Sequence, residues 1–335
     1  MAETGEFALI ARHFAPLAAG EAGALGLLDD AAVLDLPPGR ALVVTADMMV
    51  EGVHFLSDDP PESIGLKLLA VNLSDLAAMG ARPRACVLAI ALPAVWTAAQ
   101  RDIFLAGLAS GLAAMQAEFG AVLVGGDTVS TPGPLTLSLT AFGTASPAGV
   151  LRRSGAAPGD TVWVSGTIGD AALGLKVLTG AFPGLAPAHA GALVERYRRP
   201  SPRVALGRAL VGRASACADI SDGLVADLGH ICSASGVVAT IEAARVPLSA
   251  AGAAAVRADP ALLSAVVCGG DDYELVFTAS RDQDAAIAAA ADAAGIGVTA
   301  IGRIALRAEA SVAAVRVVDA AGSAVELPVA GWQHF

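Results

Sequence analysis

A long apolar run extends over residues 64–79, where Leu66, Leu68, Leu69, Val71, Leu73, Leu76 and Met79 leave no polar stripe. That pattern predicts a helix buried on most sides, opened by an N-cap at Ser63 and closed by a left-handed cap at Gly80. Inside it sits Asp75, flanked by Asn72 and Ser74. A carboxylate placed there is costly unless it caps a backbone, meets an arginine or holds a metal. Short apolar or alternating runs predict strands at 31–36, 41–47, 84–92, 121–124 and 135–144, then at 161–165, 216–219, 237–241, 275–279, 299–304, 311–318 and 324–327. Helical spacing predicts helices at 7–14, 63–79, 98–119, 170–178, 190–198, 203–211, 224–235, 250–257 and 281–294.

Strands and helices alternate in both halves, which makes this an α/β (α+β) chain. Its 335 residues exceed one comfortable core. The segment 146–160, with Pro147, Gly149, Gly155, Pro158 and Gly159, is the best linker candidate. We therefore expect an N-terminal domain at 1–147 and a C-terminal domain at 148–335.

Mean hydropathy is +0.63, yet no span has the length and character of a membrane helix. Glu3 and Glu6 stand where a secretory leader would be basic. Cys86, Cys217, Cys232 and Cys268 are scattered without a CxxC, as expected of small buried hydrophobes in a reducing cytoplasm. A net charge of −11 and an aromatic content of 4% argue against nucleic acid. Lysine occurs only at Lys67 and Lys176, so an anionic substrate would need divalent cations to offset its charge.

The candidate chemistry is carried by aspartates at strand ends and helix starts. Asp29-Asp30 precede a strand, Asp47 ends one, and Asp127 follows Gly125-Gly126 in a turn after a buried strand. Asp219 and Asp222 bracket Ser221 ahead of Gly223 and a helix, where an N-terminus favours anions. Oxygen ligands without a His/Cys cluster select Mg²⁺ or Mn²⁺ over zinc. Neither a P-loop nor a G-x-G-x-x-G is present, and no G-x-S-x-G offers a serine nucleophile. These residues describe a Mg²⁺-dependent enzyme acting on phosphates.

Motifs along nearly the whole chain sharpen that reading: Val-Glu-Gly-Val-His-Phe at 50–55, Asn-Leu-Ser-Asp-Leu-Ala-Ala-Met-Gly at 72–80, Gly-Gly-Asp-Thr at 125–128, Arg-Pro-Ser-Pro-Arg at 199–203, Asp-Ile-Ser-Asp-Gly-Leu at 219–224 and the ring-rich tail at 332–335. In these the chain resembles the bacterial thiamine-monophosphate kinases of the aminoimidazole-ribonucleotide-synthetase-like superfamily. The resemblance implies a two-domain fold whose N-terminal strands form a barrel shared in a homodimer. It implies transfer of the ATP γ-phosphoryl group to thiamine monophosphate, with several Mg²⁺ ions. By position it implies metal ligation by Asp29, Asp30, Thr45, Asp47, Asp75, Asp127, Asp219 and Asp222. Phe119, Gly126, Asp127, Arg153 and Ser221 would meet ATP; His54, Asp271 and Trp332 would meet thiamine monophosphate. No catalytic acid or base is expected, because the attacking phosphate oxygen is already ionised. The chain departs from the family pattern at Leu28, Ala46, Asp271 and Gln333, without losing a carboxylate.

Overall fold

The computed structural model describes residues 6–182, 184–307, 313–327 and 331–332. These divide into two compact units: one runs to Leu76 and resumes over Ala81–Pro147, and the other joins Ala77–Gly80 to the chain from Ala148 onward.

In the first unit the chain enters through α1 (Glu6–Leu9), a π turn (Ile10–Phe14) and α2 (Ala15–Ala18), a broken version of the expected helix at 7–14. Then come β1 (Leu42–Val50), α3 (Pro61–Ala78), β2 (Arg82–Pro93), α4 (Ala98–Phe119), β3 (Val122–Thr131) and β4 (Thr136–Thr144). The sheet order is β1-β4-β2-β3, antiparallel except for the β2–β3 pair, whose crossover is α4. Alternation sorts the two faces: Thr45, Asp47, Met49, Leu137, Leu139, Leu88 and Ile90 share one, and Val44, Met48, Ser138 and Ala89 the other. The first face is the more buried, with Leu137 and Leu139 fully covered.

Helix α3 is as buried as its composition demands. It begins at Pro61 rather than behind Ser63, whose hydroxyl donates to the Pro60 carbonyl at 2.8 Å instead of capping. Gly80 does close the helix, at φ 66°. Residues 31–36 form no ladder among the described residues; the Val33 N–H donates to the Gly23 carbonyl, and Ala32 and Leu34 pack under Val87 and Phe142. The alternation there is that of an extended segment lying on a sheet. At 324–327 only a bridge from Val318 to Ala324 is seen.

The second unit contains β5 (Thr161–Ser165), α5 (Asp170–Leu178), α6 (Pro187–Arg198), α7 (Val204–Leu210), β6 (Ala216–Asp219), α8 (Leu224–Ser235), β7 (Val237–Glu242), α9 (Ala250–Ala258), α10 (Leu263–Cys268), β8 (Leu275–Ala279), α11 (Asp284–Ala294), β9 (Val298–Leu306) and β10 (Val315–Val318). Its sheet order is β10-β7-β9-β5-β8-β6, mostly antiparallel. A core of Val162, Val164, Ile168, Ala218, Leu228, Ile231 and Val276 lies beneath the helices. Both units mix helix and sheet, as the sequence pattern requires. No helix among the described residues is long and apolar enough to cross a membrane.

Candidate active site

The period of two on β1 places Thr45 and Asp47 on the same face as the end of α3. The Thr45 hydroxyl donates to Asp75 Oδ2, and the Asp47 N–H donates to Asn72 Oδ1 at 3.2 Å. Asn72, wholly buried, anchors itself by donating to the Leu68 carbonyl at 3.0 Å. Burial and the neighbouring Asp75 push the Asp47 carboxyl up to about 7. Two carboxylates at close quarters, one of them holding its proton near neutrality, are the arrangement that a cation relieves. Ala46 faces the other way, so its departure from the family pattern removes nothing on the Asp75 side.

A second cluster lines a cavity of about 330 Å³ in the same unit. Asp29, Asp30 and Asp127 stand with Gly125 and Gly126 beside apolar Phe14, Leu34, Val87 and Phe142. Here the sequence reading needs correction. The Gly125–Thr128 segment is the middle of β3, with Asp127 opposite Ala89, and neither a turn nor a strand end. The irregularity is instead a bulge: Cys86 pairs with Leu123 and Val87 with Gly125, so Val124 is the extra residue. Glycine is required at 126, since a Cβ there would lie 2.0 Å from the Leu88 carbonyl oxygen. By register Asp127 shares a face with Ala89, Ser138 and Met48, opposite that of Asp47. The structure therefore brings Asp29, Asp30 and Asp127 together, and separately Thr45, Asp47 and Asp75. Phe119 ends α4 half-buried and is not among the residues lining the cavity. His54 Nδ1 accepts from the Val50 N–H at 3.0 Å.

In the second unit β6 delivers Asp219, 3% exposed, to the loop that starts α8. The loop is held on both sides. Its carbonyls receive neighbours: Asp271 N–H donates to Ser221 O at 2.8 Å, and Trp332 N–H to Asp222 O at 2.9 Å. Its N–H groups at Ser221, Asp222 and Gly223 all donate to Asp227 Oδ2, at 3.0, 3.0 and 3.1 Å. The sequence pattern suggested an open anion seat at this helix start, but the protein's own carboxylate fills it. Asp227 was missed, although an acid one turn into a helix is a familiar cap signal. It is buried, and burial with the nearby Asp222 charge raises its carboxyl to about 7, against the opposing pull of the N–H donors and Arg153. Ligand atoms of Asp222, Asp227 and exposed His230 lie within 4.8 Å of one another. Trp332 is 54% exposed.

The loop carrying Asp271 alternates. Asp272 and Glu274 point inward, 1% and 0% exposed, while Asp271 and Tyr273 are half-exposed at φ 73° and 50°. Asp272 Oδ2 accepts the Gly169 N–H at 2.7 Å, supplying α5 with a cap that its own Gly169 lacks. Glu274 binds Arg196 (3.1 Å), Arg203 (Nε, 2.7 Å) and Ser165 (2.5 Å). Backbone strain at two alternate non-glycine sites, Asp271 and Tyr273, held between buried carboxylates, is typical of functional loops.

Comparison with known proteins decides among the phosphate-handling readings of these three acidic clusters. Residues 28–145 match the AIR synthase related protein N-terminal domain, and residues 157–314 match the C-terminal domain of the same family. A thiamine-monophosphate kinase of Caulobacter vibrioides is 45% identical over 300 residues, covering 89% of this chain and 83% of its own. The chain belongs to the thiamine-monophosphate kinase family. The crystal structure of a thiamine-monophosphate kinase from Stenotrophomonas maltophilia K279a superposes with a TM-score of 0.82 at 41% identity, covering 96% of this chain and 98% of that one. AaThiL, solved in complex with AMPPCP and TMP, gives 0.74 at 29% identity, covering 100% and 98%. For a member of the thiamine-monophosphate kinases, the donor chemistry of these clusters fits a hard divalent cation: carboxylates predominate, and burial beside Asp75 raises Asp47.

Proposed function

We propose that this protein transfers the γ-phosphoryl group of ATP to thiamine monophosphate, giving thiamine diphosphate and ADP. The observation that carries the reading is the near-complete coverage by AaThiL, a relative that binds an ATP analogue and TMP. The acidic clusters support it: Asp29, Asp30 and Asp127 around one cavity, Thr45, Asp47 and Asp75 on the other sheet face, and Asp219 and Asp222 before α8. These residues would hold Mg²⁺, which when bound offsets phosphate charge and aligns donor and acceptor.

The chain's own side chains then have distinct tasks. Gly126, whose missing Cβ lets β3 lie against the Leu88 carbonyl of β2, is a proposed ATP residue next to Asp127. Phe119 in the first unit, and Arg153 and Ser221 in the second, are the other proposed ATP residues. Asp271 offers negative charge to the thiazolium cation, and Trp332 offers an apolar face to the thiamine rings. His54 is the remaining proposed substrate residue, its ring held in place by the Val50 N–H donating to Nδ1. No general base is required, because the acceptor is an ionised phosphate.

Two finer readings accompany this one. The β1 face bearing Leu42, Val44 and Met48, each 43–56% exposed, is an apolar surface along an edge strand suited to a second copy. We assign it to a homodimer whose sheets combine into a barrel. The four cysteines are buried and unpaired, in keeping with a reducing cytoplasm.

The test is direct. Purified protein, ATP, Mg²⁺ and thiamine monophosphate should yield thiamine diphosphate by chromatography. EDTA should abolish it, and thiamine should not replace the monophosphate. Diphosphate formed equally from thiamine, or no product despite bound ATP, would sink the assignment.

A further inference from the structure

Asp227 lies one turn into α8, and its carboxylate serves the N-cap N–H of Gly223 and, beyond the helix, two donors of the preceding loop. It reaches backward, and Oδ2 alone collects the N–H groups of Ser221, Asp222 and Gly223. Two of these three peptide units offer their carbonyls outward, Ser221 O to the Asp271 N–H and Asp222 O to the Trp332 N–H. Glycines permit this close stacking. A Cβ at Gly270 would lie 2.3 Å from Ser221 O, and one at Gly331 would lie 2.8 Å from Asp222 O. One buried oxygen therefore sets the plane of the loop from which Asp222 projects, and that plane fixes the backbone of both Asp271 and Trp332.

We propose that Asp227 is a positioning residue that couples the two halves of the site in this unit, holding Asp222 for the cation and, through the loop carbonyls, Asp271 and Trp332 for the thiamine substrate. The inference rests on the kinase reading for the identity of the substrate, though not for the geometry. What matters in this role is an acceptor oxygen at one point in space. Direct ligation of the metal by Asp227 would demand its negative charge instead, which separates the two roles experimentally.

The test uses the full-length protein and equilibrium binding, so that it does not depend on turnover. Mn²⁺ alone is titrated by electron paramagnetic resonance, and thiamine monophosphate by calorimetry, for wild type, Asp227→Ala and Asp227→Asn. Asp222→Asn and Trp332→Ala serve as single-sided references. Asp227→Ala should weaken both Mn²⁺ and thiamine monophosphate by about 10-fold or more, the scale of an outer residue that orients ligands. Asp222→Asn should weaken mainly Mn²⁺, and Trp332→Ala mainly the thiamine ligand. Asp227→Asn keeps an acceptor oxygen and should stay within about 3-fold of wild type on both. A folded Asp227→Asn that loses Mn²⁺ about 10-fold or more overturns the proposal in favour of direct ligation. So does an Asp227→Ala that binds both ligands normally, which would leave a purely structural cap. If Asp227→Ala does not fold, the Asn variant alone still decides. Failure of wild type to turn over thiamine monophosphate would count against the kinase reading and leave the Mn²⁺ comparison valid.

Discussion

At the residue scale the site is built from carboxylates that repel one another, and the two best-defined examples carry a pH signature. Asp47 and Asp227 both titrate near 7 when no metal is present, against a usual value of 3.8. A raised folded value means that the native state binds extra protons between about 4 and 7, so the stability they lend is complete below that window and lost as pH rises through it. The EDTA-treated protein should therefore show a falling Tm from pH 5 to pH 8, and Asp47→Asn should flatten that slope. An unchanged slope in the variant would show that Asp47 is ionised throughout. With Mg²⁺ saturating, Asp75→Asn should lower kcat by about 100-fold or more while moving Tm by no more than about 3 °C, because the change relieves repulsion as it removes a ligand. Near-normal kcat would make Asp75 a structural partner of Thr45. Gly126→Ala is a steric experiment: its Cβ would meet the Leu88 carbonyl, and the strand must shift at a cost of about 1–3 kcal/mol. Urea denaturation measures that cost, and a neutral result would mean that β3 relaxes freely.

At the element scale the most consequential unit is the strained loop that leads into β8. Its inward carboxylates hold it in place: Asp272 caps α5, and Glu274 ties Arg196 of α6 and Arg203, just before α7, to Ser165 at the end of β5. Glu274 is fully buried, so breaking this network exposes the cost of an uncompensated charge. Arg203→Met should destabilise by about 3–5 kcal/mol. Arg203→Met combined with Glu274→Gln should recover part of that loss, since the lone buried charge is gone. A double variant no better than the single one would show that the arginine contributes packing more than charge. Because Asp271 and Tyr273 sit between these anchors, with the Tyr273 hydroxyl donating to Asp271 at 3.1 Å, loosening the network should also raise the KM for thiamine monophosphate.

At the scale of the molecule, the first sheet has a well-covered face and one that the 31–36 segment covers only in part, leaving the β1 end open. The open end displays Val44 and Met48 on β1, an edge strand of the four-stranded sheet. A single charge placed in such a patch should block association. Met48→Glu is expected to convert a dimer to a monomer by light scattering without unfolding either unit. If the wild type already runs as a monomer, the barrel is not formed by this face. Asp127 shares that partly covered face, whereas Asp47 and Asp75 belong to the well-covered one, so the expected ligand set is divided within this sheet.

Much of this was readable from the chain because local rules carried it. The runs at 98–119, 161–165, 170–178, 216–219, 224–235 and 275–279 end where periodicity, glycine caps or turn residues end them, and the structure agrees to the residue. The burial of α3 and the mixed α/β class also follow from short-range pattern and composition, whereas the kinase family came from the resemblance of the motifs. What the tertiary structure alone decided are matters of pairing. Residues 31–36 alternate like a strand but lie on a sheet as an extended segment, because no strand among the described residues pairs with them. The Gly125–Thr128 segment reads as a turn, yet β2 pairs with it and draws it into β3. Ser63 looks like a cap, but Pro61 starts the helix earlier. The helix start at Leu224 looks open to a phosphate, and only the fold shows Asp227 already bound there. Side-chain type and local spacing are properties of the chain. Which face a carboxylate shares, and which hydrogen-bond donors are already taken, depend on contacts between residues distant in sequence.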